Sequence, residues 1–238
     1  MVKVLATDID GTITIDRTTT MVDTDVIKYM RALEKKGVYV VLVSANALPI
    51  VVGLKKYFGL KGPCIGESGS LVFMDGKIYS LTNRSAANAA KDIEKLFSEC
   101  IYPSWQNAFR LHDYAFHVRK ECINNADKVI NELREYIRKH YPDIKVGYSG
   151  YAIHLTPVDV SKEKALSFIA EKLGYSLEDF VAIGDSVMDK DMVEAVGFGV
   201  AVANADEELK KVAKYVTRGA SSKGFIELAQ MILEGRLG

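Results

Sequence analysis

The chain has 238 residues, 48% of them hydrophobic and 26% charged, enough for one large domain or for a core domain with a smaller companion. Lysine plus arginine and aspartate plus glutamate each number 31, so the formal net charge is zero and gives no electrostatic ground for binding nucleic acid or an anionic membrane. No apolar stretch reaches the length of a membrane span and the N-terminal run is too short for a signal peptide, so a cytoplasmic protein is expected.

Val2 to Thr7 is β-branched and nearly continuous in apolar residues, the pattern of a strand buried on both faces. Helical spacing follows from about Asp23 to Lys36, with Val26, Ile27, Met30 and Leu33 on one face and Gly37 as its stop. Val38 to Val43 reads as a second buried strand, and Leu48 to Phe58 as a helix stopped by Gly59. Such alternation predicts a parallel sheet with helices on its faces. Leu71 to Leu81 reads as a hairpin turning at Asp75-Gly76.

The middle of the chain changes character. It shows a helix over Ser85–Cys100, alternating runs at Ala108–His112 and Ala115–Arg119, a helix over Asn125–His140, and strands at Lys145–Gly147 and Ala152–Leu155. That is a helix-strand-strand unit occurring twice. Alternation then resumes with a helix over Ser161–Leu173, capped by Ser161 and stopped by Gly174. A strand at Phe180–Ile183, a helix at Asp189–Val196, a strand at Phe198–Val202 and a last helix near Lys223–Leu233 follow. The expected architecture is α/β: a Rossmann-like parallel-sheet core, residues 1–81 and 157–238, with a smaller α+β domain, residues 82–156, inserted into it. Cys64, Cys100 and Cys122 are odd in number and lack metal-ligand spacing, so they are expected to be idle thiols in a reducing compartment.

Four groups of residues fall at the ends of predicted core strands, where open parallel sheets bind their ligands. Asp8 and Asp10, in Asp8-Ile9-Asp10-Gly11-Thr12, leave an extended segment on the same side, and Gly11 lets the backbone turn close to a ligand. Paired acids repel unless a cation or an anion-accepting reaction needs them; the alternative is a pair of helix caps. Ser44 can hold a phosphate oxygen or cap the next helix. Lys162, opening a helix, can present a fixed positive charge to phosphate, with Lys164 as its competitor. Asp185 and Asp189, four residues apart in Gly184-Asp185-Ser186-Val187-Met188-Asp189, are hard oxygen ligands suited to magnesium, with Asp191 less well placed. Together these residues make a phosphoryl-transfer site for a small phosphorylated metabolite.

With these motifs, in this order, the chain resembles the haloacid dehalogenase superfamily, whose first motif is Asp-x-Asp-Gly-Thr and whose last is Gly-Asp-x-x-x-Asp. The resemblance implies that Asp8 attacks phosphorus and that Asp10 acts as acid and then base. It also implies that Gly11, Thr12, Ser44 and Lys162 hold the phosphoryl group, and that Asp8, the carbonyl of Asp10, Asp185 and Asp189 (directly or through water) hold Mg2+. Only 34 residues separate Asp10 from Ser44, whereas 118 separate Ser44 from Lys162, so a cap fits only in the second interval. That placement is similar to the Cof-like subgroup with an αββαββ cap, including archaeal phosphoglycolate phosphatases. It implies phosphoglycolate as the favoured substrate, with a broad sugar-phosphate phosphatase or a phosphomutase as alternatives; a receiver-type signalling domain would be about half this length and uncapped. Gly199 to Ala205 also resembles the subgroup and makes Asn204 a candidate phosphate contact. Met188, Glu163 and Ser68 stand where the subgroup often has Asn, Gly and Asn. In the cap, Arg110 with His112 and His117 with Arg119 are candidate carboxylate-binding pairs or an ordinary solvated sheet face. Trp105 and Tyr114 are expected to serve packing or an interface in a monomer or homodimer.

Overall fold

A computed structural model describes residues 2–237. The chain runs β1 (Val4–Thr7), α1 (Thr24–Lys35), β2 (Tyr39–Val43), α2 (Leu48–Phe58), β3 (Cys64–Gly66), β4 (Leu71–Met74) and β5 (Lys77–Ser80). Next come α3 (Ala87–Leu96), β6 (Ile101–Pro103), β7 (Tyr114–Val118), α4 (Ala126–His140), β8 (Ile144–Tyr148) and β9 (Ile153–Pro157). The chain ends with α5 (Lys162–Leu173), β10 (Phe180–Gly184), α6 (Lys190–Ala195), β11 (Phe198–Ala201), α7 (Glu207–Lys210), β12 (Tyr215–Val216) and α8 (Ser221–Leu233).

Eight strands form one sheet in the order β12-β11-β10-β1-β2-β3-β4-β5, parallel from β12 to β3. The β4–β5 hairpin extends its edge antiparallel, turning through Asp75 and Gly76, both at positive φ. β1 and β10 lie side by side at the centre, with Val4–Thr7 in register with Phe180–Ile183. Both strands are buried along their whole length, as their unbroken apolar runs require. The second sheet, β6-β7-β9-β8, is antiparallel and packs against α3 and α4 in an αββαββ sequence. Each sheet has its own apolar cluster: one draws on Val4–Met74 and Ala165–Ala229, the other on Ala86–Leu155. No helix among the described residues is long and apolar enough to cross a membrane.

Two expectations are corrected here. Ala108–His112 is not a strand. Trp105–Phe109 forms a 3-10 turn capped by Ser104, whose side chain accepts from Gln106 N, and Ile101–Pro103 takes the place beside β7. The backbone reason is Glu67, a core residue whose carboxylate accepts hydrogen bonds from the amides of Leu111, His112 and Asp113. Those donors are therefore spent on the core rather than on a ladder.

The cysteines are the second correction. Cys100 and Cys122, 22 residues apart with Cα atoms at 5.4 Å, form a disulfide across the α3–β6 and β7–α4 connections, while Cys64 is free and buried. An odd count spread along a chain hides which two residues the fold brings together. Closing a loop of this size restricts the unfolded chain and stabilises by about 3 kcal/mol. Reduction, or a Cys122→Ser substitution, should lower the unfolding free energy by about that amount in denaturant titrations.

Candidate active site

The site is built where β1, β2 and β10 end. Asp8 follows β1 directly, its amide still paired to Ile183 O at 3.0 Å; Ser44 follows β2 with its amide on Ile65 O, and Asp185 follows β10. Ser161 caps α5 by accepting from Lys164 N at 3.0 Å, which places Lys162 on the first turn of that helix. There the Lys162 ammonium, 4% exposed, donates to Asp8 Oδ1 at 2.7 Å and to Asp189 Oδ1 at 2.5 Å. Lys164, the competitor, is exposed and donates to Asp159 O.

Asp8, Asp185 and Asp189 are all buried, and each offers an oxygen within 4.8 Å of the others. Three carboxylates against one ammonium and an Arg17 guanidinium shared with Asp206 leave excess negative charge in a dry place, and hard oxygens so arranged fit a divalent cation such as magnesium. The cluster shows the strain in its protonation. Burial first, then the charge of Asp189, push the Asp8 carboxyl well above the usual carboxylate range, with Lys162 opposing. Burial and Asp189 likewise push Asp185 up to about 7, against Arg17, Lys162 and a hydrogen bond from Thr12. For Lys162 burial disfavours the charge, but Asp189 and Asp8 outweigh it and the pKa rises.

Asp189 has little left to offer a ligand. Its Oδ1 takes Lys162, and its Oδ2 accepts from the amides of Asp185 and Ser186 and from Ser186 Oγ. Arg17, on the loop before α1, pairs with Asp185 Oδ2 at 2.7 Å and with Asp206 at 2.9 Å.

These residues face one cleft of ≈ 450 Å³ between the two sheets, lined by Asp8, Asp10, Ser44, Lys162 and Asp185 on the core side. Ser44 Oγ accepts from both the amide and the side chain of Asn46, and its own hydrogen has no acceptor among the described residues. It is left to donate into the cleft. Asp10 keeps an accessible edge, yet the cleft walls crowd it; that desolvation raises its pKa despite a hydrogen bond from Asn46 at 2.6 Å.

Three residues expected at the phosphoryl group do not line the cleft. Gly11, at φ +89°, lies so close to Asp185 that a β-carbon would sit 2.4 Å from its Oδ2. Thr12 donates to Asp185 Oδ1 at 3.2 Å, so the pair supports Asp185 from behind. Asn204 is tied to Ser221 through both its side-chain oxygen and nitrogen, at the start of α8.

The cap wall also differs from expectation. Arg110 and His117 line the cleft, but His112 bonds Ser80 and Arg84 O, and Arg119 donates to Ser98 O over the Tyr102 ring. Trp105 is 69% exposed at the cleft rim, and Tyr114 packs on the cap cluster. Residues not singled out from the sequence complete the site: Arg17, Asn46, Gln106, Asp113 and His154. Asp113 is fully buried and accepts from Arg110 (2.6 Å), His154 Nδ1 (2.9 Å), Ser68 and Thr156. Burial alone would raise its pKa, but His154 and Arg110 outweigh it and hold the carboxyl below its ordinary value. None of these five stands in a motif; the core fold brings in Arg17, and the contact of the two sheets assembles the other four.

The geometry agrees with what the chain is similar to. A family model described as haloacid dehalogenase-like hydrolase matches residues 5–109 and 106–228. A phosphoglycolate phosphatase of Staphylothermus marinus is 48% identical over 98% of this chain and 99% of its own length. Phosphoglycolate phosphatase 1 of Saccharolobus solfataricus is 36% identical over 99% and 97%. Among solved structures, that of Thermoplasma acidophilum 0175 superposes with a TM-score of 0.83 at 27% identity, covering 98% of this chain and 99% of that one.

The raised carboxyl of Asp185 has a measurable sign. A folded pKa above the unfolded value favours folding at low pH, and that contribution is lost as pH rises through about 7. In chelator, the thermal midpoint should fall as pH rises across that range, and Asp185→Asn should flatten the fall. Added Mg2+ should raise the midpoint more above pH 7 than below it, because protons compete for the same oxygens.

Proposed function

The chain belongs to the haloacid dehalogenase-like hydrolases, and we propose that it is a magnesium-dependent phosphatase acting on a small phosphomonoester, phosphoglycolate first among them, through an aspartyl-phosphate on Asp8. The observation that carries this reading is the convergence of Asp8, Asp10, Ser44, Lys162 and Asp185 on one capped cleft. Asp8 is the nucleophile: its carboxylate oxygen forms a bond to phosphorus as the bond from phosphorus to the leaving oxygen breaks. The electron pair goes to that oxygen, which takes a proton from Asp10. Water then attacks the phosphorus while Asp10 takes its proton, the bond from phosphorus to Asp8 breaks with its electron pair returning to the carboxylate, and inorganic phosphate is released. Ser44 donates to a phosphoryl oxygen and Lys162 offsets its charge.

Asp8, the backbone carbonyl of Asp10 and Asp185 are the residues that would hold magnesium. Bound there, the ion neutralises charge between the phosphate dianion and the acidic cluster. With its oxygens engaged, Asp189 serves by orienting Lys162 and the 185–189 loop. Residues 82–156 act as the cap that excludes water. The substrate preference rests on the relatives' names and on the cap wall, where His117, His154 and the Asp113-paired Arg110 line the cleft.

Phosphate release from a panel of phosphomonoesters tests the reading. Wild type with Mg2+ should release phosphate, with phosphoglycolate the best substrate, and chelation should stop it. Asp8→Asn should abolish turnover while the circular dichroism spectrum stays unchanged. Asp10→Asn should lose roughly 10²- to 10⁴-fold in rate on the same substrate. Conversion of a sugar phosphate to its isomer without free phosphate would instead establish a mutase.

A further inference from the structure

Between the two sheets, a chain of side-chain amides runs from the cap to Asp10. Gln106 lies in the 3-10 turn Trp105–Phe109 of the cap, and Asn46 lies two residues after Ser44 in the core. Gln106 Oε1 accepts from the amide of Ala47 at 2.8 Å and from Arg110 Nη2 at 3.3 Å. Its Nε2 donates to Asn46 Oδ1 at 2.7 Å, and Asn46 Nδ2 donates to Asp10 Oδ2 at 2.6 Å and to Ser44 Oγ at 3.0 Å.

The polarity of this chain follows from its ends. A backbone N–H and a guanidinium can only donate, so the oxygen of Gln106 must face them and its nitrogen must face Asn46. That in turn turns the oxygen of Asn46 toward the cap and its nitrogen toward Asp10. Asp10 Oδ2 is thereby held as an acceptor, so a proton on this carboxyl sits on Oδ1. Arg110 anchors the cap end, donating from Nη1 to Ala45 O at 2.9 Å and pairing with Asp113.

We propose that Gln106 is a positioning residue of the cap that, through Asn46, fixes which oxygen of Asp10 carries the proton given to the leaving group. The inference rests on the phosphatase reading, with Asp10 as general acid. Closure of the cap then does more than shut out water: it completes the orientation of the acid. With Gln106 absent, the Asn46 amide is free to flip and turn its oxygen toward Asp10, and the proton is no longer directed at the ester oxygen.

The test compares two esters by kcat/KM, which reports only the steps through phosphoryl transfer. From phosphoglycolate, glycolate leaves as a basic alkoxide and needs the acid, whereas p-nitrophenyl phosphate loses a weakly basic p-nitrophenolate and needs it little. Wild-type turnover of both esters is the control that separates failure of this inference from failure of the phosphatase reading. In Gln106→Ala the ratio of kcat/KM for phosphoglycolate over that for p-nitrophenyl phosphate should fall roughly tenfold or more. Gln106→Glu, which keeps the acceptor for Ala47 but loses the donor to Asn46, should do the same, so the result does not depend on tolerance of a cavity. Asn46→Ala should lower the ratio likewise, and the double variant Asn46→Ala/Gln106→Ala should lower it no further. Equal loss on both esters, an unchanged ratio, or additive losses in the double variant would overturn the proposal.

Discussion

Lys162 is asked to neutralise more charge than one ammonium carries, and the catalytic end of the molecule is arranged around that deficit. Asp8 and Asp189 share it at hydrogen-bonding distance, while Asp185 leans instead on Arg17 and Thr12. Charges this deep in protein interact far more strongly than in water, so each needs a partner with fixed geometry. The fold supplies that fixity through the parallel register of β1 with β10 and through the capped first turn of α5. What is costly in the resting protein is relieved by a cation, and only with that charge offset can a phosphate dianion approach a carboxylate nucleophile.

The same deficit explains why several conspicuous residues stand behind the site rather than in it. Thr12 gives its hydroxyl to Asp185, and Asp189 spends three acceptor contacts on the loop that carries Asp185. Such outer contacts keep a carboxylate pointing at a ligand when repulsion would turn it away.

The core was largely legible in the sequence because buried parallel strands leave continuous apolar runs. Helix stops such as Gly59 and Gly174 are punctuated by residues that tolerate left-handed backbone. Asp8, Ser44, Lys162 and Asp185 were legible for a related reason: each ends a strand or opens a helix. The cap's first hairpin was not. Its backbone donors at 111–113 are drawn to Glu67, a residue 44 positions or more away, so local alternation at Ala108–His112 pointed to a ladder that does not form. Arg17, Asn46, Gln106, Asp113 and His154 escaped notice because each is an ordinary polar residue locally; the meeting of two sheets gives the last four a task, and the folding of the core brings Arg17 to Asp185 and Asp206. The disulfide between Cys100 and Cys122 escaped because only the pairing of β6 with β7 within the cap sheet brings the two residues together.

Glu67 and Ser68 carry a consequence for inheritance. Both belong to the core, yet their side chains end on the cap: Glu67 on three successive amides, and Ser68 on the carboxylate of Asp113. Ser68 also occupies a position where Asn is common in the subgroup it resembles, and there it donates to Asp113, which also accepts from Arg110, His154 and Thr156. Cap and core are thus not interchangeable modules here. A cap grafted from a cousin would have to bring a 111–113 loop whose amides reach Glu67 and an acceptor at 113 for Ser68, or both core side chains lose their partners.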